Sequence, residues 1–154
     1  MLLAIAVWLG ALVFFPFVAA TAFLALPTTH IAGLVVRGSL LKLHCMGFVC
    51  GAVFLACSLV YNRSLLGRTR LFAFSHFLIV TMLVLTAISQ FRIIPHMDSL
   101  LQAGGEIDSL PPGNPIRVQF DSLHVWSTRV EGAVLVLGII LLYLTSKRLS
   151  ATRP

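Results

Sequence analysis

No charged residue occurs between Met1 and Leu26. Three more charge-free apolar runs follow, Leu43 to Tyr61, Leu71 to Phe91 and Gly132 to Ser146. A helix that crosses ~30 Å of hydrocarbon at ~1.5 Å per residue needs ~20 mostly apolar residues. The first three runs meet that length, and the fourth covers only ~22 Å. Four such runs leave little of the 154 residues for a soluble domain. The chain therefore reads as one all-α integral membrane domain over residues 1–154, a four-transmembrane-helix bundle.

The charged share of 10% agrees, because a soluble domain carries about 25%. The net charge of +6 does not point to nucleic acid. The basic residues flank apolar spans, singly or in small groups, and no polar face interleaves them with aromatic rings. Such residues contact lipid head groups and set orientation. The first run lacks a basic leader and is too long for the core of a signal peptide, so it reads as a retained helix despite the small residues at Ala20, Thr21 and Ala22. Cys45, Cys50 and Cys57 share the second run without metal-ligand spacing and read as small packing residues.

The pattern predicts helices over about 3–26, 40–61, 71–94 and 122–145, with a long loop at 95–119. Pro27 stops the first, and Pro16 kinks it. The second carries Gly47 and Gly51 four apart, spacing that lets two backbones approach closely. The third is expected to end before Pro95. In the loop, 96–102 reads as a short interfacial helix ended by Gly104 and Gly105, and Pro111 to Pro115 as a rigid turn. On the N-terminal side of the membrane, side A, lie Arg63, Arg68, Arg70, Lys147, Arg148 and Arg153. Toward side B lie the other five cations and all five acids, Asp98, Glu106, Asp108, Asp121 and Glu131. Clustered cations in short segments favour side A as cytoplasmic. Both termini are then expected in the cytoplasm, in a bacterial inner membrane.

The short fourth run forces Glu131 into the hydrocarbon, with Arg129 near its edge. An ionised side chain at mid-span costs roughly 2.5–3.5 kcal/mol, so such residues face the bundle and take a partner. Asp121, His124, Thr128 and Glu131 share one helical face, with Ser127 beside them. His44, with Lys42, on the second helix and Gln90 and Arg92 on the third lie at the same end. A polar pocket between the second, third and fourth helices is expected, opening toward side B. It suits a hydrogen-bonded network locking the helices, a proton or solute path, a bis-histidine haem site on His44 and His124, or a copper or zinc site. His76 reads as a hydrogen-bonded packing residue. His30 and His96 read as solvated residues of connections. No nucleotide-binding loop, nucleophile elbow or carboxylate-rich metal motif occurs.

Phe120, Leu123, His124 and Ser127 form an F-x-x-L-H-x-x-S pattern that resembles the transmembrane-protein-205-like family of small four-helix membrane proteins. The segment from Arg92 through Pro95 and Met97 to Leu100 is similar to that family's connection after the third helix. Trp8 to Gly10, Phe14 to Phe17, and Ala32-Gly33 resemble its first helix and the turn that follows. The resemblance covers nearly the whole chain and implies the fold and the membrane, but no activity. The copper-resistance protein D family is more distantly similar; its methionine-rich and paired-histidine features are not evident here.

The expectation is a non-enzymatic membrane protein without a cofactor, a structural or accessory subunit whose partners are the bilayer and other membrane subunits. The alternative is a haem- or metal-binding protein for electron transfer or metal handling, using His44 and His124.

Overall fold

A computed structural model of the chain describes residues 1–66 and 74–150. Among them the structure is helical, with no strand. Helix α1 spans Leu2–Ala25, α2 Thr29–Leu66, α3 Phe74–Ile88, α4 Ile94–Gly104 and α5 Pro115–Ser150. A π-helical turn, Ser89–Ile93, joins α3 to α4, and a 3-10 turn, Ile107–Ser109, lies between α4 and α5. Among the described residues four stretches are long and apolar enough to cross a membrane, α3 and α4 counting as one.

Two helices begin earlier than hydropathy suggests, because capping sets their starts. Thr28 Oγ1 accepts from the Ile31 amide at 3.2 Å, so α2 starts at Thr29 and not near residue 40. Asn114 Oδ1 accepts from the Ile116 amide at 2.9 Å, and Pro115 fits the first helical position, where no amide hydrogen is needed. So α5 starts at Pro115 and not near residue 122. With 38 residues α2 is ~57 Å long, well beyond a membrane thickness. The expected start of the third helix at Leu71 lies outside the described residues, as do Arg68, Arg70 and Arg153.

The third helix does not end before Pro95. The π-turn lets the chain pass the proline: the Ile94 amide donates to the Ser89 carbonyl, five residues back. Much of the expected 95–119 loop is therefore helix, α4 plus the 3-10 turn. Gly105, at φ +69°, ends α4 in a conformation that side-chain-bearing residues rarely adopt.

The four spans run up, down, up and down. Each packs against two neighbours, in the ring α1, α2, α3, α5. Ile5, Trp8, Phe54, Ile79, Met82 and Leu141 fill the interior, all under 2% exposed. Close approach depends on glycine. A Cβ on Gly47 would lie 2.7 Å from the Trp8 ring, and one on Gly51 would lie 2.6 Å from Leu83. Both glycines are thus used inside the bundle, against α1 and α3. Phe14, Phe17, Phe77 and Ile139 point outward. On a soluble protein such a surface would invite aggregation; here it matches acyl chains. Within the spans exposed Thr21 and half-buried Thr81 donate their hydroxyls to carbonyls four residues back, so neither presents a bare hydroxyl hydrogen to lipid; buried Thr86 does the same inside the bundle.

Candidate functional site

Three helices meet at His44. Its ring is 1% exposed. Nδ1 lies 2.8 Å from Gln90 Oε1, and Nε2 lies 2.7 Å from Glu131 Oε1. An amide oxygen only accepts, so Nδ1 carries a hydrogen and donates to Gln90. Contact between Nε2 and Glu131 then requires one shared proton. Either an imidazolium donates to a carboxylate, or a carboxylic acid donates to a neutral ring. Both forms have zero net charge, which is what a site in the hydrocarbon requires. The π-turn carries Gln90 and so helps set its position against the ring.

Glu131 also forms part of the wall of a cavity of about 640 Å³. The cavity is not where the sequence pattern suggests. Its walls come from α1, the side B half of α2, α4 with the 3-10 turn, and α5; α3 contributes nothing. The α1 wall is apolar: Leu12, Phe15, Pro16, Ala19 and Phe23. The α5 wall is the polar stripe, Asp121, His124, Ser127, Thr128 and Glu131. From α2 come His30 and Arg37, from α4 Asp98, and from the 3-10 turn and its approach Glu106 and Asp108.

The eight residues expected in one pocket therefore divide. His44 and Gln90 form the network behind the cavity and do not line it. Asp121, His124, Ser127 and Thr128 line the cavity, and Glu131 belongs to both. Arg92 is exposed and belongs to neither. Lys42 is exposed, and Arg129 lies over the Trp126 ring at 5.5 Å. His44 and His124 do not form a pair. Both nitrogens of His44 have partners, and His124 sits about 10 Å further along α5 than Glu131. Among the described residues no three His, Cys, Asp or Glu side chains converge as a metal site.

Two features were not legible in the sequence. The first is the α1 wall, since every α1 residue that lines the cavity is apolar and none marks it. The second is a bidentate ion pair in which Arg37 donates Nε and Nη2 to the two Asp98 carboxylate oxygens, tying α4 to α2. A basic and an acidic residue toward the same side were the available signal. His30 lies on α2 and lines the cavity, not in a connection, and His96 is exposed on α4. His76, expected to be hydrogen-bonded, is 7% exposed and neither ring nitrogen has a partner among the described residues. At side A, Arg148 donates to Asn62 Oδ1 and lies over the Tyr61 ring, joining α5 to α2.

Comparison with curated proteins and with solved structures finds no match. A family profile does match, over residues 3–106, which hold α1 to α4 and two of the three residues that meet at the buried imidazole. The chain belongs to that family, described as Domain of unknown function (DUF4149).

Proposed function

We propose that this chain is a non-enzymatic multi-pass membrane protein acting as a structural or accessory subunit of a larger membrane assembly. The observation that carries the reading is His44. The most reactive pairing in the bundle, an imidazole against a carboxylate, is 1% exposed at the ring and closed on both sides by Gln90 and Glu131. A general base must have a nitrogen within reach of a substrate proton, and a haem or metal ligand must offer a lone pair. His44 offers neither, so the cluster holds α2, α3 and α5 together. The outward faces add support. Only 22% of the most apolar stretch of the first and last spans is buried, leaving broad apolar surfaces for lipid and for neighbouring subunits.

The transmembrane-protein-205-like resemblance supports the same reading of fold and membrane, although its F-x-x-L-H-x-x-S pattern lies beyond the matched residues 3–106. Cytoplasmic termini in a bacterial inner membrane belong to the same proposal; the cations at side A support the orientation. The test is native mass spectrometry of protein extracted at its natural level in mild detergent, together with a visible spectrum. A defined assembly heavier than the 16.8 kDa chain is expected. A monomer carrying a stoichiometric chromophore, lost in both His44→Gln and His124→Gln, overturns the reading.

A further inference from the structure

All five acidic residues of the chain line one cavity, in a protein whose net charge is +6. Two of the five are neutralised where they stand, Glu131 by His44 and Asp98 by Arg37. Glu106, Asp108 and Asp121 have no ion-pair partner among the described residues. Among the described residues Arg37 is the one Lys or Arg side chain in the lining, and it is occupied by Asp98. Nearby Arg117 donates to the backbone carbonyls of Asp108 and Leu110 and does not line the cavity. The cavity therefore carries uncompensated negative charge, against an apolar wall from α1.

A second observation points inward as well. Ser127 is 8% exposed and lines the cavity. A helical serine commonly donates to the carbonyl four residues back, as neighbouring Thr128 does to His124 at 3.0 Å. The Ser127 hydroxyl makes no such bond and has no partner among the described residues. A hydroxyl on a cavity wall with no partner in the protein is free to donate to, or accept from, a polar atom of a ligand.

We propose that this cavity binds an organic cation with an apolar body. The cationic centre lies toward the unpaired carboxylates at the side B end, Asp121 with Glu106 and Asp108, and the apolar body extends along α1 past Ser127, about 9 Å deeper along α5. The size fits, because sites for small molecules occupy roughly 300–1,000 Å³ and are mostly apolar with a few placed polar groups. An inorganic cation fits poorly, since no three ligating side chains converge among the described residues. An anion or a lipid phosphate would meet three unpaired carboxylates and, among the described residues of the lining, no free Arg or Lys side chain. Phe15, Phe23 and Phe120 in the lining add ring faces, which attract organic cations.

The probe is tetraphenylphosphonium, with tetraphenylborate as a control of the same shape and opposite charge. Binding is measured by equilibrium dialysis against the protein in maltoside detergent, with protein-free micelles subtracted. Saturable binding of about one phosphonium per chain is expected. Asp121→Asn should weaken it roughly twofold to fivefold, the range of an exposed charge pair. The combined Glu106→Gln, Asp108→Asn and Asp121→Asn variant should weaken it roughly tenfold or more, since such sites add when independent. These carboxylates are exposed, so the variants keep the fold; an unchanged melting temperature confirms that. Ala19→Trp, which fills the cavity from α1, should abolish binding. The absence of saturable binding, equal binding of the borate, or charge variants that bind like the parent would each overturn the proposal.

Discussion

Glu131 Oε1 lies 2.7 Å from His44 Nε2, a contact that crosses the diagonal of the bundle from α5 to α2. These two helices are not neighbours in the ring of packed spans, so their side chains must meet in the middle. Counted from Lys147, Glu131 is about 24 Å up the helix, inside a hydrocarbon layer of about 30 Å. A charge at that depth needs a partner, and the bundle supplies one. The shared proton makes the pair neutral in either form.

Truncation of Glu131 should therefore be costly. Glu131→Ala leaves His44 Nε2 buried without a partner, and about 1–3 kcal/mol of stability should be lost. Glu131→Gln keeps a polar atom at the site and should lose less. Thermal melting in detergent orders the three proteins as parent, Gln, Ala; a Glu131→Ala protein that melts with the parent would show that the contact contributes nothing.

Packing at Gly47 gives a sharper contrast. A Cβ there would stand 2.7 Å from the Trp8 ring, so Gly47→Ala should cost about 1–3 kcal/mol. Gly10→Ala meets nothing within 4 Å and lies on the exposed side of α1, so it should be neutral or stabilising by up to about 1 kcal/mol. Melting temperatures of the two single variants check both signs.

The Arg37–Asp98 pair should be worth little by itself. Its side chains are 39% and 23% exposed, and pairs at such exposure couple by about 0.2–1 kcal/mol. A double-mutant cycle on Arg37→Ala and Asp98→Ala measures that term. A value well above the range would mean that α4 is anchored mainly by this contact and not by Ile94 and Leu100, which are buried.

Orientation can be read by labelling. With Cys45, Cys50 and Cys57 replaced by Ala, Gly113→Cys should react with an impermeant maleimide in intact cells. Arg63→Cys should react only after permeabilisation. The reverse pattern would place the cavity mouth in the cytoplasm.

Some of this was legible in the residues and some was not. The spans show in hydropathy, because nothing but a long apolar helix satisfies its backbone in lipid. The α5 stripe shows because Asp121, His124, Thr128 and Glu131 follow the helical period through an otherwise apolar stretch. The helix starts at Thr29 and Pro115 are signalled by Thr28 and Asn114, yet hydropathy is blind to caps and places both starts too late. The pattern points to the wrong neighbour for a related reason: Gln90 and Arg92, on the π-turn after α3, are polar, while the facing wall of α1 is entirely apolar. Nothing local marks the π-turn except Pro95, which reads more simply as a helix end.

That π-turn leaves the chain with one spare residue. A π-turn holds one residue more than the α-helical turn it replaces, so the phase of the helix on either side is unchanged by removing it. Deleting Phe91, together with Pro95→Ala to spare a straight helix the proline clash, should leave Asp98 beside Arg37 and Ile94 in the core. A one-residue deletion in α5, such as Leu137, has no slack to draw on. It should turn Asp121, His124 and Glu131 by about 100° relative to Leu141. The bundle can then lose a residue from one strut without altering the other three, and the junction ahead of Pro95 is where a change in chain length costs it least.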